Sequence, residues 1–401
     1  MGSKSQELIE IAEQWGAHNY SPLPVVLSRG ENATVWDVDG NRFIDFLSGY
    51  SAINFGHSNP FFVEAARRQL EQLTLSSRAF YNDQFGPFCH ELCELLGFNK
   101  ALVMNSGAEA VETALKAARR WALDVKGIPD GEAEIIVMDN NFSGRTISIV
   151  SFSTVADYRR GFGPLTPGFK VVRFGDLSAV ADAITPHTAA VMFEPIQGEG
   201  GVIVPPPGYI RALRELTAQA NVLLMADEVQ TGLCRTGAVL CCDHEGVKPD
   251  VVILGKSLGG GIVPISAVLA SEEVMGVFNP GSHGSTFGGN PFACAIGRAV
   301  VEYIKREKPE ARAARLGLGL LERLRGRKLR HASEVRGKGM MIGIDIHPTS
   351  GSGKDFCKRL MKRGVLCKDT RAQTVRLAPP LTIPESELES AVDAVIEVFD
   401  G

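Results

Sequence analysis

The sequence has no apolar stretch of the length a membrane-spanning helix needs, so no bilayer-crossing segment is expected. It has no excess of one charge either. Lys and Arg total 42 against 46 Asp and Glu, a formal net charge of -4, which gives no electrostatic case for nucleic acid or a membrane surface as partner. Its 8 cysteines show no CxxC or Cys/His ligand spacing, and Cys241 and Cys242 are adjacent. That suits reduced core thiols better than a disulfide frame or zinc site, and leaves no metal to expect. Met1 to Gln14 mixes acids with apolar residues and has neither a signal core nor the acid-poor character of a transit peptide, so the cytoplasm is the expected address, although a processed organellar protein would read the same. There is no internal repeat or low-complexity tract.

What is present is a chain of 401 residues, 44% hydrophobic, which is more than one ordinary domain uses. After a short helical lead, Thr34 to Phe46 alternates apolar and polar residues around Asp39-Gly40-Asn41, the pattern of a hairpin. From about Pro60 to Gly289, apolar runs alternate with amphipathic helices. The clearest strands are Ala101–Met104, Ile135–Met138, Ala189–Phe193, Val222–Met225 and Val251–Leu254. Continuous apolar strands of this kind are buried on both faces, as in a mostly parallel α/β sheet covered by helices. From about Ala293 a long helical stretch runs through Arg312–Arg327 into Gly337–Ile346. A helix at Lys354–Arg363, a strand at Thr374–Ala378 and a last helix from Glu385 complete a small α+β unit. The expected division is 1–55, 56–292 and 293–401, with the two chain ends building one small domain beside a large central one.

Four signals lie at strand ends, where ligands gather in open α/β sheets. Asn105-Ser106-Gly107-Ala108 opens a helix whose free amides and dipole suit a phosphate, although an N-cap serine and a turn glycine account for it as well. Asp227 and Glu228 close an apolar strand; Asp227 there could neutralise a protonated heterocycle, or the pair could simply cap a loop. Lys256 follows the strand Val251–Leu254 in a glycine-rich turn, where desolvation would free its amine for attack on a carbonyl. A phosphate-binding or snorkelling lysine is the competing reading. His283 to Pro291 is a loop of hydroxyls and glycines able to wrap an anion. No GxGxxG turn follows an early strand, so a nicotinamide-dependent dehydrogenase is not expected.

The joint order of these signals, with Asn19 to Val26, Phe46 to Asn54, Gly144-Arg145-Thr146, Gly161 to Pro164, Glu194-Pro195-Ile196-Gln197-Gly198-Glu199 and Asp227 to Gly232, resembles the class III aminotransferases over essentially the whole chain. The likeness is strongest to the branch that acts on ornithine. It implies fold type I, with a mostly parallel seven-stranded sheet in the large domain, and pyridoxal 5'-phosphate as cofactor. By the same resemblance Lys256 would bind the cofactor covalently and shuttle the reaction's proton, and Asp227 would hold the pyridine nitrogen. Gln230 would meet the phenolic oxygen, and Phe142 and Val229 would sandwich the ring. Ser106, Gly107 and Ala108 would hold the phosphate, with Ser285 and Thr286 reaching in from a second subunit, so that a homodimer completes each site. Arg145 and Tyr20 would grip the distal carboxylate of an amino donor, and Tyr50 marks the ornithine branch. Arg376 would bind the carboxylate of a 2-oxo acid acceptor, with Glu199 masking it while the donor is bound. Ser143 departs from the aromatic residue common in ornithine enzymes. Gly259 and Ala293-Cys294-Ala295 are similar to the acetylornithine branch.

Overall fold

The computed structural model describes residues 2–401. The N-terminal strands β1 (Leu27–Glu31), β2 (Thr34–Asp37) and β3 (Arg42–Asp45) form an antiparallel meander. The β2–β3 connection is the expected hairpin: Asp37 accepts hydrogen bonds from the Asp39 and Asn41 amides, and Gly40 takes φ 88°.

The centre of the chain supplies β4 (Lys100–Met104), β5 (Glu134–Met138), β6 (Phe169–Val172), β7 (Thr188–Phe193), β8 (Leu223–Asp227), β9 (Val251–Leu254) and β10 (Ser266–Ala270). They form one seven-stranded sheet in the order β4-β10-β9-β8-β7-β5-β6. Strands β6, β5, β7, β8 and β9 run parallel, whereas β10 is antiparallel to both of its neighbours. Every residue of β7, β8, β9 and β10 is buried, which is why the first three read as nearly continuous apolar runs. The helix Gly107–Trp121 covers one face with Ala110, Val111, Ala114, Leu115, Ala118 and Trp121, one stripe at helical spacing. Tyr209, Ile210 and Leu213 of the helix Tyr209–Gln219 pack in a separate core with Val191, Phe193 and Leu224.

The C-terminal part contains β11 (Ala332–Lys338), β12 (Met341–Ile346), β13 (Val365–Leu366), β14 (Lys368–Thr370) and β15 (Thr374–Leu377). Four of them make a sheet in the order β11-β12-β15-β14, while β13 pairs parallel to β3, Val365 opposite Ile44. One expectation needs correction. The single helical stretch from Ala293 is two helices, Pro291–Glu307 and Pro309–Arg325, broken at Lys308 with φ 48°; Pro309 has no amide hydrogen to continue the first. Gly337–Ile346 closes a hairpin, because Gly339 at φ 55° turns the chain between β11 and β12.

Candidate active site

Parallel strands aimed the same way deliver their C-terminal ends to one edge of the sheet, and the candidate residues lie just beyond those ends. Ser106 to Ala108 follow β4, Phe142 follows β5, Glu194 follows β7, Asp227 ends β8 and Lys256 follows β9. They enclose a cavity of about 200 Å³ lined by Gly107, Ala108, Phe142, Ser143, Gly144, Glu194, Asp227, Val229, Gln230 and Lys256.

Lys256 is placed by an abrupt turn. Gly255 is extended, Lys256 adopts φ 45°, and a short 3-10 segment Lys256–Gly259 follows. Burial pushes its ammonium pKa down, against the pull of Glu199 and Asp227. Asp227 is 5% exposed, and burial pushes its carboxyl up, opposed by Ser143, the Val229 amide and Lys256. Its Oδ1 accepts from the Val229 amide at 3.2 Å. Glu228 is separately occupied: Oε2 accepts from Thr231 Oγ1 at 2.5 Å and Oε1 from the Cys242 amide at 2.9 Å. Of the two adjacent acids, Asp227 faces the cavity and Glu228 anchors the following turn.

Ser106 caps the helix Gly107–Trp121 in a reciprocal box with Glu109. Its hydroxyl accepts from the Glu109 amide at 3.2 Å, and its own amide donates to Glu109 Oε2 at 2.6 Å. This leaves the Gly107 and Ala108 amides at the first helical positions, beside the cavity. Ser285 and Thr286 do not line this cavity within one chain. Ser285 Oγ accepts from Asn105 Nδ2 at 2.8 Å, and Thr286 is exposed.

Glu194, absent from the sequence candidates, sits on the cavity wall. It accepts from the Phe142 amide at 2.9 Å and the Gly198 amide at 3.3 Å, and burial together with the Asp227 charge pushes its pKa up to about 8. Its signal in the sequence was positional: it follows an apolar strand as Asp227 and Lys256 do.

Gln230 joins this cavity to a second cluster. Arg376, on β15 and 1% exposed, donates through Nη1 to Glu199 Oε1 at 2.5 Å and to Gln230 Oε1 at 3.3 Å. Its guanidinium lies 4.9 Å from the centre of the Tyr50 ring. Burial raises the Glu199 carboxyl, but Arg376 outweighs it and holds Glu199 below the usual range. Arg376 Nε and Nη2 are buried with no partner among the described residues, so the guanidinium keeps a free edge. Tyr50 is carried by a left-handed turn, Ser48, Gly49, Tyr50 and Ser51 all having φ between 51° and 70°. Asp45 clamps its entry by accepting from the Leu47 and Ser48 amides at 2.8 and 2.9 Å. Tyr20, 78% exposed, and Tyr50 share a groove of about 470 Å³ with Leu23, His57 and Lys368. Arg145 is exposed, its guanidinium 3.5 Å from the Tyr158 ring centre and 5.5 Å from that of Phe142.

The cavity suits a small aromatic heterocycle with a phosphate tail. A buried carboxylate without a cationic partner needs a positive charge, which a pyridinium nitrogen supplies, and Phe142 and Val229 offer apolar surface for a ring. Known proteins agree. The family model described as "Aminotransferase class-III" matches residues 15–399. An ornithine aminotransferase of Geobacillus sp. is 51% identical over the whole of both chains. The solved ornithine aminotransferase of Toxoplasma gondii, whose active site carries PLP at partial occupancy, superposes with a TM-score of 0.97 at 45% identity, over 98% of this chain and 94% of that one. The acetylornithine aminotransferase of Elizabethkingia anophelis superposes with a TM-score of 0.89, also at 45% identity and over 98% of each. This chain belongs to the class III aminotransferases, enzymes of fold type I that use pyridoxal phosphate.

Proposed function

We propose that the protein moves the δ-amino group of L-ornithine to 2-oxoglutarate, giving glutamate and glutamate 5-semialdehyde, which cyclises to pyrroline-5-carboxylate. The observation that carries this reading is the Arg376–Glu199 pair with the guanidinium's free edge, within hydrogen-bond reach of Gln230 on the cavity wall.

Pyridoxal phosphate, when bound, supplies a carbonyl that takes up the amino group and an electron-withdrawing ring that stabilises the carbanion beside it. Lys256 Nζ would hold the cofactor in the resting enzyme and, once displaced by substrate, would carry the proton from the substrate carbon bearing the nitrogen to C4′ of the cofactor. Asp227 keeps the ring nitrogen protonated, Gln230 meets the phenolic oxygen, and Phe142 and Val229 fix the ring plane. Ser106, Gly107 and Ala108 hold the phosphate. Arg145 and Tyr20 bind the donor's distal carboxylate, with Tyr50 bounding the same space. A 2-oxo acid must place a carboxylate beside the reacting carbon, whereas a terminal amine brings only methylenes there. Glu199 covers the Arg376 charge in the second case and yields it in the first, so one pocket serves two shapes.

Thr286 and Ser285 complete the phosphate site of a second copy in a homodimer. The exposed Phe80, Tyr81 and Phe287 support that face, and Asn82, close to the first two, is tied to the Ser285 loop by a 3.3 Å bond to the Gly289 carbonyl. The pairing of β3 with β13 supports reading 1–55 and 293–401 as one small domain beside 56–292. Eight free cysteines, seven of them buried, support a reducing compartment such as the cytoplasm. No described helix is long and apolar enough to cross a membrane.

The likeness to an acetylornithine enzyme makes that donor the second reading. In the test, ornithine bleaches the visible band of the holoenzyme and 2-oxoglutarate restores it. If ornithine leaves the band unchanged while acetylornithine, lysine or γ-aminobutyrate removes it, the donor is another amine. Multiple turnover by Lys256→Ala would overturn the role of Lys256.

A further inference from the structure

Arg235 is fully buried, and all the hydrogen bonds it donates go to uncharged oxygens. Nε and Nη2 donate to Asn54 Oδ1 at 3.1 and 2.5 Å, and Nη1 donates to the Met340 carbonyl at 2.9 Å and the Pro379 carbonyl at 2.6 Å. Asn54, also fully buried, spends its own amide on the Leu233 carbonyl at 3.0 Å and on Ser257 Oγ at 3.1 Å. Its backbone carbonyl accepts from Leu381 at 2.7 Å. The chain of contacts therefore begins at the residue after Lys256 and ends three residues beyond Arg376.

A buried guanidinium is an expensive way to hold a fold together. Its desolvation is not repaid by an acid, and apolar side chains of similar volume commonly stabilise as well or better. What it provides instead is direction: a planar fork with fixed donor angles ties the Met340 and Pro379 carbonyls, distant in sequence, to the Asn54 side-chain amide. That amide in turn donates to Ser257, in the turn where Lys256 adopts φ 45°, a conformation that a non-glycine residue keeps only when its surroundings overdetermine it.

We propose that Arg235, Asn54 and Ser257 form a buried relay that sets the separation between the Lys256 amine and the Arg376 guanidinium, making them positioning residues for the 2-oxo acid half-reaction. This rests on the roles of Lys256 and Arg376 given above. The acceptor must span both groups at once, its carboxylate on Arg376 and its reacting carbon at Lys256. A terminal-amine donor places its distal carboxylate elsewhere and does not use that separation. Loosening the relay therefore penalises one half-reaction and spares the other.

The holoenzymes of Ser257→Ala, Asn54→Ser, Arg235→Lys and Arg235→Met test this by rapid-mixing measurement of the two half-reactions. With 2-oxoglutarate, the apparent KM rises about tenfold to about a hundredfold, the range that misplacement of reacting groups by about 1 Å produces. The half-reaction with ornithine stays within about twofold, against a tenfold step corresponding to about 1.4 kcal/mol. Arg235→Lys recovers part of the loss seen in Arg235→Met. Affinity for glutarate, an unreactive dicarboxylate, measured by calorimetry, falls in parallel with the 2-oxoglutarate effect. Equal losses in both half-reactions, or a lower melting temperature with both rates intact, overturn the relay. If Arg235→Met does not fold, Ser257→Ala and Asn54→Ser decide by the same criteria. Turnover by Lys256→Ala would instead sink the reading beneath it, so the two failures are told apart.

Discussion

Glu194 offers a quantitative test of the cavity's electrostatics. In the native chain its carboxyl is pushed from 4.5 up to about 8, first by burial and then by the Asp227 charge, with the Phe142 and Gly198 amides opposing. A raised native pKa means that the folded state binds the proton more tightly than the unfolded chain. The resulting stability is complete below the unfolded value of 4.5 and is lost as pH rises to about 8. At about 1.36 kcal/mol per unit, the full span is on the order of 5 kcal/mol, of which about 3 falls between about pH 5.5 and pH 8. Glu194→Gln keeps one acceptor oxygen for the two amides and removes the proton equilibrium, at a fixed cost of about 1 kcal/mol for the lost hydrogen bond. Denaturant titrations of both proteins, stripped of cofactor, should give curves that converge and then cross as pH rises: the variant is the less stable at low pH and the more stable near pH 8. Contributions common to the two proteins cancel in the difference. With cofactor bound, the positive ring nitrogen beside Asp227 should shrink the effect. Difference curves that stay flat from pH 5.5 to 8 in the stripped proteins would refute the claim that Glu194 carries a proton at neutrality.

Three other substitutions probe neighbouring contacts. A Cβ at position 198 would lie 1.6 Å from Gln230 Oε1, so Gly198→Ala should displace Gln230 and raise the KM for 2-oxoglutarate by about tenfold, about 1.4 kcal/mol; an unchanged steady-state KM counts against it. Glu199→Gln leaves Arg376 without an anionic partner and should raise the kcat/KM ratio of glutamate to ornithine by about tenfold in a donor competition, whereas an unaltered ratio would dismiss the masking role. Ser106→Ala opens the capping box and should cost about 1 kcal/mol in chemical denaturation, with weaker cofactor retention on dialysis; equal retention would limit Ser106 to its helix.

The central sheet was legible because β7, β8 and β9 are wholly buried and, apart from Thr188 and Asp227 at their ends, apolar, and that run of composition leaves few competing readings. The strand β10 was less visible: Ser266 and two alanines carry little strand preference, and its place is set by pairing on both sides with β4 and β9. Lys256 and Asp227 stood out because a charge at the end of an apolar strand is costly unless it has work to do. Glu194 has the same placement but was read only as part of a matching segment. Arg235 was invisible, since its partners Asn54, Met340 and Pro379 come together only through the tertiary fold. The break at Lys308 was written in Pro309 but obscured by helix-forming residues on either side.

The turn that presents Tyr50 winds against the natural hand of L-amino acids, and three of its residues are not glycine. At about 1–2 kcal/mol each, such residues hold several kcal/mol of conformational tension, balanced by backbone bonds within the turn and by Asp45, with His57 at 2.8 Å behind it. Warming or a loosened Asp45 should let this corner relax while the sheet beneath stays intact. If Tyr50 bounds the donor's space as proposed, choosiness between amines should be the first property lost, before colour or shape.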